Sequence, residues 1–120
     1  MSRQRVSSGG PWEAVVGYSR AVRTGNQVFV AGTTAARPDG SIEGGDDGYL
    51  QARHCLRVIE AALAEAGAAM RHVVRTRMFV TDVSRWEEFA RAHGEVFAEI
   101  RPAATMVQVV ALITPGMLIE

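Results

Sequence analysis

Lysine is absent from this 120-residue sequence; all thirteen basic residues are arginine. Thirteen acidic residues balance them, so the formal net charge is zero. A protein that grips nucleic acid by neutralising phosphates needs an excess of cations, so no nucleic-acid partner is expected. Cysteine occurs once, at Cys55, which excludes an internal disulfide and a cysteine-rich metal centre. A reducing compartment, the cytoplasm, is the simplest setting. No apolar run approaches the roughly 20 residues of a membrane span, so no membrane partner is expected. The opening MSRQRVSSGG is polar and lacks the apolar core of a signal peptide.

What is present fits one small α+β domain over residues 1–120. Hydrophobic residues make up 48% of the chain and charged residues 22%, ordinary values for a globular protein. Arg5–Ser7 is a short extended candidate, broken by Ser8-Gly9-Gly10-Pro11. Tyr18–Arg23 and Gln27–Thr34 read as strands joined by a turn at Thr24-Gly25-Asn26. Arg37–Gly48 is a loop rich in Gly and Asp. Asp46 or Asp47 then caps a helix near Gly48–Ala66, with Ala52, Leu56, Ile59 and Leu63 on one apolar face. Gly67 suits the residue beyond its end.

His72–Asp82 reads as a strand, with Val74, Thr76, Met78 and Val80 on one face and Val73, Arg75, Arg77 and Phe79 on the other. Ser84 and Glu87 match a capping box that opens a second helix, whose inward stripe is Phe89, His93, Val96, Phe97 and Ile100. Pro102 ends that helix. Thr105–Ile113 is the longest strand candidate, and Met117–Glu120 starts another. The order is β-β-β-α-β-α-β-β. Two helices cover only one face of such a sheet. Yet Val28–Ala31 and Val109–Ile113 are apolar at consecutive positions, which implies burial on both faces. The second face therefore needs a partner, and a homo-oligomer is the simplest one.

Gly17-Tyr18-Ser19-Arg20-Ala21-Val22 followed by Gly25-Asn26-Gln27-Val28-Phe29-Val30-Ala31-Gly32 resembles the opening signature of the RidA family, also called YjgF or endoribonuclease L-PSP. Asp82, Gly94-Glu95-Val96-Phe97, Arg101-Pro102-Ala103-Ala104-Thr105 and Leu118-Ile119-Glu120 resemble its later motifs, in order along nearly the whole chain. The resemblance implies a chorismate-mutase-like fold: a mixed β-sheet with two helices packed on one face, assembled as a homotrimer around a central barrel. It implies small-molecule clefts between subunits and hydrolysis of reactive enamines and imines, such as 2-aminoacrylate, without metal or cofactor.

The chain departs from the pattern where the chemistry matters. The deaminating members carry an arginine after Pro-Ala that clamps the substrate carboxylate through two parallel hydrogen bonds. Here that position is Ala104, and Met106 stands where a cysteine is common. Ala31 replaces the usual serine and Ala90 a frequent asparagine. Glu120, Tyr18 and the backbone of Gly32 remain. Glu120 matches the family's cleft glutamate, a candidate general base or orienter of water; otherwise it is an exposed terminal glutamate. Tyr18 either offers its hydroxyl to a ligand or packs at a strand start. Gly32 either offers its N–H or marks a close strand approach.

The candidate site is thus Glu120 as the catalytic residue, with Tyr18, Gly32, Ala104 and Met106 lining the ligand. His93 is expected to pack on the sheet, Cys55 to be a small core residue, and no metal site is expected. Arg20, Arg23, Arg75, Arg77 and Arg101 are the arginines able to reach a groove between subunits; most are expected on the solvated surface. The expected function is small-metabolite binding, with action on an imine, enamine or related C–N bond but no efficient 2-aminoacrylate deamination. The alternatives are an ordinary deaminase with its anchor moved to Arg101, or a non-catalytic regulatory protein.

Overall fold

The computed structural model describes residues 2–120. Strands β1 (Arg3–Val6), β2 (Ala21–Thr24) and β3 (Gln27–Val30) form an antiparallel sheet in the order β1-β2-β3. Thr24 opposes Gln27, so Gly25-Asn26 is a two-residue hairpin turn; Gly25 adopts φ 58°, a conformation that favours glycine. Helix α1 (Gly48–Glu65) follows, then β4 (Arg75–Val80), α2 (Trp86–Phe97) and β5 (Ala103–Gln108). β4 and β5 run parallel, with α2 as the crossover that a parallel pair requires. The last residues return antiparallel on the other edge of β4, where Phe79 and Glu120 exchange backbone hydrogen bonds of 2.9 and 2.8 Å. β4 thus has a parallel neighbour on one side and an antiparallel one on the other, which makes the sheet mixed.

Both helices pack on one face. Ala52 and Cys55 of α1 meet Phe89 and Ala92 of α2 over Val80 and Ile119. Val6 and Ala21 of the first sheet meet Ala62 and Ala66. The inward stripe of α2 is confirmed by Phe89 and Phe97, both buried. His93 lies on it, 2.8 Å from the Thr76 hydroxyl and with its ring centroid 4.6 Å from that of Phe97. Burial holds the His93 imidazole, and that of His54, below the ordinary 6.5. The unfolded chain therefore takes up these protons first as pH falls. The stability is present above the unfolded value and is lost as pH falls through the folded one. The urea midpoint should decline as pH falls through 6.5 and below, and His93→Gln should flatten that decline; an unchanged slope would remove His93 from the account.

Several sequence boundaries move. The first strand begins two residues earlier than Arg5–Ser7. The second starts at Ala21, because Tyr18 and Ser19 still belong to the turn that leaves the Glu13–Gly17 helical segment. The third ends at Val30 rather than Thr34. α1 matches, with Asp47 as the cap: its side chain accepts from the Leu50 N–H at 3.1 Å. The capping box at Ser84 does not form. Asp82 caps instead, accepting from the Ser84 N–H at 3.0 Å, and Val83–Arg85 is a tighter 3₁₀ turn before α2. Arg85 then bonds Glu88 and Asp46, which ties the starts of the two helices together. The long strand Thr105–Ile113 is shorter and earlier, at Ala103–Gln108, because its pairing with β4 ends at Val80. Val73 and Val74 exchange faces: Val73 packs inward and Val74 is exposed, since the turn Met70–His72 precedes them.

The face opposite the helices carries Phe29 on β3, Phe79 on β4 and Val107 on β5, all exposed in the single chain, with Val110 and Ile113 bare just beyond β5.

Candidate functional site

Gly32 follows the end of β3, and Glu120 pairs with β4. The fold brings the two together: a Cβ built on Gly32 would run into the Glu120 carboxylate, with Cδ at 2.9 Å. Gly32 has an unremarkable φ, so the close approach, not the backbone conformation, requires glycine here. The Glu120 side chain stands in a cleft of about 1030 Å3 between β3 and β4, whose walls include Val30, Thr33, Cys55 and Phe79.

Cys55 lies under this cleft. Burial, reinforced by the Glu120 charge, pushes its thiol up to about 12. It is therefore a neutral thiol at physiological pH and no nucleophile, in keeping with a core residue.

Tyr18 opens onto a neighbouring hollow of about 870 Å3 on the outer face of the first sheet, beside Ser19, Val22 and Phe29. The two hollows share the wall Phe29–Ala31. One residue links Tyr18 to the Glu120 side: Arg20. Its Nη1 donates to the Gly32 carbonyl and, at 3.0 Å, meets the Thr33 hydroxyl. Its Nη2 lies 3.4 Å from the Tyr18 hydroxyl, with the guanidinium carbon 5.5 Å from the Tyr18 ring centroid. Arg20 is only 7% exposed. Of the five arginines expected to be able to reach a groove between subunits, most of them on the solvated surface, Arg20 is buried instead. Charge alone could not reveal that, because the fold tucks Arg20 behind Tyr18 and Gly32.

Ala104 and Met106 stand elsewhere in the chain. They lie on β5, opposite Thr76 and Met78, across β4 from Glu120. Met106 packs against the core beneath the helices, while Ala104 is exposed. A single chain therefore assembles Tyr18, Arg20, Gly32 and Glu120 but leaves Ala104 apart. Arg101 is exposed in the turn before β5, its Nε donating to the Ala98 carbonyl at 3.2 Å.

Sequence reasoning also missed Gln51, which is completely buried. Its amide donates to the carbonyls of Gly45 at 2.7 Å and Gly116 at 2.8 Å, and accepts from the Leu118 N–H at 2.8 Å. It thereby fixes the segment that carries Glu120. A glutamine beside the apolar Ala52 on a core-facing helix is the one signal the sequence offered.

The sequence pattern of the endoribonuclease L-PSP family matches residues 11–120. The chain belongs to this family, known also as YjgF or RidA. A family member from Mycobacterium tuberculosis, Rv2704, is 52% identical in its crystal structure, with a TM-score of 0.88 over 98% of this chain and 93% of that one. RidA from an Antarctic Psychrobacter is 28% identical with a TM-score of 0.83, over 97% and 93% of the two chains. The 3-aminoacrylate deaminase RutC of Acinetobacter baylyi is 31% identical over 86% of this chain and 81% of its own length. The family fold anticipated from the motifs is thus the one observed. No helix among the described residues is long and apolar enough to cross a membrane.

Proposed function

We propose that this chain forms a homotrimer through its bare outer sheet face. In clefts between subunits it binds a small metabolite and hydrolyses an imine, enamine or related C–N bond, without efficient deamination of 2-aminoacrylate. The reading rests on one observation above the others: the Glu120 carboxylate is held against Gly32, at a wall without a side chain. Space for a ligand, a backbone N–H and a carboxylate meet there. The Gly32 N–H has no acceptor among the described residues, so it is free to meet a ligand oxygen.

In this chemistry Glu120 takes a proton from a water while the water oxygen bonds to the C=N carbon. Glu120 passes that proton to the nitrogen, then takes the proton of the newly added hydroxyl and passes it on as well. The C–N bond breaks and the amine or ammonia leaves as the carbonyl forms, so that both water protons end on nitrogen. Tyr18 and the Gly32 N–H hold the polar end of the ligand. The exposed apolar residues Phe29, Phe79 and Val107 supply the surface that a second copy would cover. The trimer, the cytoplasmic setting and the absence of a cofactor are parts of the same proposal.

Ala104 sets the expected weakness. It cannot grip a carboxylate, and each charge-assisted hydrogen bond lost costs about 1.5–3 kcal/mol. In an assay on imines released by an amino-acid oxidase, Ala104→Arg should raise turnover roughly tenfold or more over the native protein. Ala104 is exposed, so the longer side chain has room. Strong native activity on carboxylated imines would defeat the proposal.

A further inference from the structure

Arg20 carries a charge that the fold leaves unanswered. The residue is 7% exposed, and among the described residues no carboxylate stands within ion-pair distance of it. Burying a lone cation is costly, and proteins normally answer it with an anion. One part of the guanidinium is occupied: Nη1 meets the Gly32 carbonyl and the Thr33 hydroxyl. The edge made by Nε and Nη2 is not. Nε is buried and has no partner, and Nη2 has only the long 3.4 Å contact to the Tyr18 hydroxyl. Two parallel N–H bonds along one guanidinium edge are the geometry that a carboxylate accepts.

We infer that Arg20 is the anion anchor of this site, gripping the carboxylate of a small metabolite through Nε and Nη2 beside the Tyr18 hydroxyl. This rests on the small-metabolite reading above and narrows its ligand to carboxylates. Nε has no surface of its own, so the edge opens to a ligand only as Tyr18, whose ring lies 5.5 Å from the guanidinium carbon, shifts off it. The half-exposed position of Tyr18 allows this. A carboxylate held here is gripped from the Gly32 wall rather than from β5. Binding by Arg20 therefore does not supply the alignment that an arginine at position 104 would give, and slow turnover of 2-aminoacrylate remains the expectation. Lysine cannot replace Arg20, because a single ammonium has no fork.

The test titrates the full chain by calorimetry with pyruvate and with pyruvamide, which has the same shape and no charge. The native protein should bind pyruvate at least tenfold more tightly than pyruvamide. Arg20→Lys and Arg20→Gln, checked for fold by circular dichroism, should each lose at least tenfold in pyruvate affinity and several-fold less in pyruvamide affinity. A readout needing no variant guards against misfolding: in a nitrogen-15 spectrum the Arg20 Nε–H signal should move with pyruvate and not with pyruvamide. Pyruvate binding within twofold of native in folded Arg20→Lys, or an Nε–H signal unmoved at saturation, would overturn the assignment. Binding of pyruvamide without pyruvate would overturn the anchor alone. Binding of neither up to about 50 mM would overturn the small-metabolite reading as well.

Discussion

Gln51→Leu should cost about 2–3 kcal/mol of stability, although leucine is close to glutamine in size and suits a core. Two carbonyls, of Gly45 and Gly116, and the Leu118 N–H lose their only partner on α1 at once. Gly45 and Gly116 are exposed residues whose carbonyls can turn partly to water, so each loss stays below the about 1–3 kcal/mol of a fully buried group, and the extra apolar contact returns part of it. A domain of this size has about 5–15 kcal/mol in all. The melting temperature should drop by roughly 5–15 °C. The effect is also local. Leu118 is two residues from Glu120, so below its melting temperature the variant should lose turnover or ligand affinity while its helical circular dichroism stays native. A Gln51→Leu protein with unchanged melting would mean that the loop and the last segment hold themselves in place.

Gly32→Ala should do the reverse: a small change in stability and a large one in function. The added methyl would sit 2.9 Å from Glu120 Cδ and 3.4 Å from Cγ. The obstacle is the far end of a side chain, which can swing away, so the fold should lose only about 1 kcal/mol. The swing carries the carboxylate off the wall where it meets the ligand. Turnover should fall roughly 100-fold or more, the scale of losing a general base. Glu120→Gln should reproduce that fall, with no stability loss. If Gly32→Ala keeps full activity while Glu120→Gln does not, the carboxylate works from another position. If neither variant changes turnover, Glu120 has no part in the chemistry.

Much of the fold was legible because hydrophobic period and breakers decide it. The stripe through Ala52, Leu56, Ile59 and Leu63 placed α1 almost to the residue, and Gly67, at φ 82°, marked its end. The strands were harder. Thr105–Ile113 is mostly apolar, yet pairing, which sequence does not display, stops at Gln108. The Ser84-x-x-Glu87 pattern misled because Asp82, two residues earlier, offers a better acceptor to the same N–H. The site divides in the same way. Glu120 beside Gly32 came from the motif order. Gln51 did not, and Arg20 was only one of five candidate arginines, because a polar residue looks alike on paper whether it faces water or is walled in.

Gly32 hangs from the three-stranded sheet, while Glu120 is laddered to the other one, and among the described residues no strand pair joins the two sheets. The gap between Gly32 and Glu120 therefore straddles a seam. Within one sheet, hydrogen bonds would fix the spacing of the two groups. Across a seam, a small slide of one sheet past the other under the shared helices would widen or narrow the gap directly, so the rigidity of α1 and its glutamine tether governs how well the site keeps its shape.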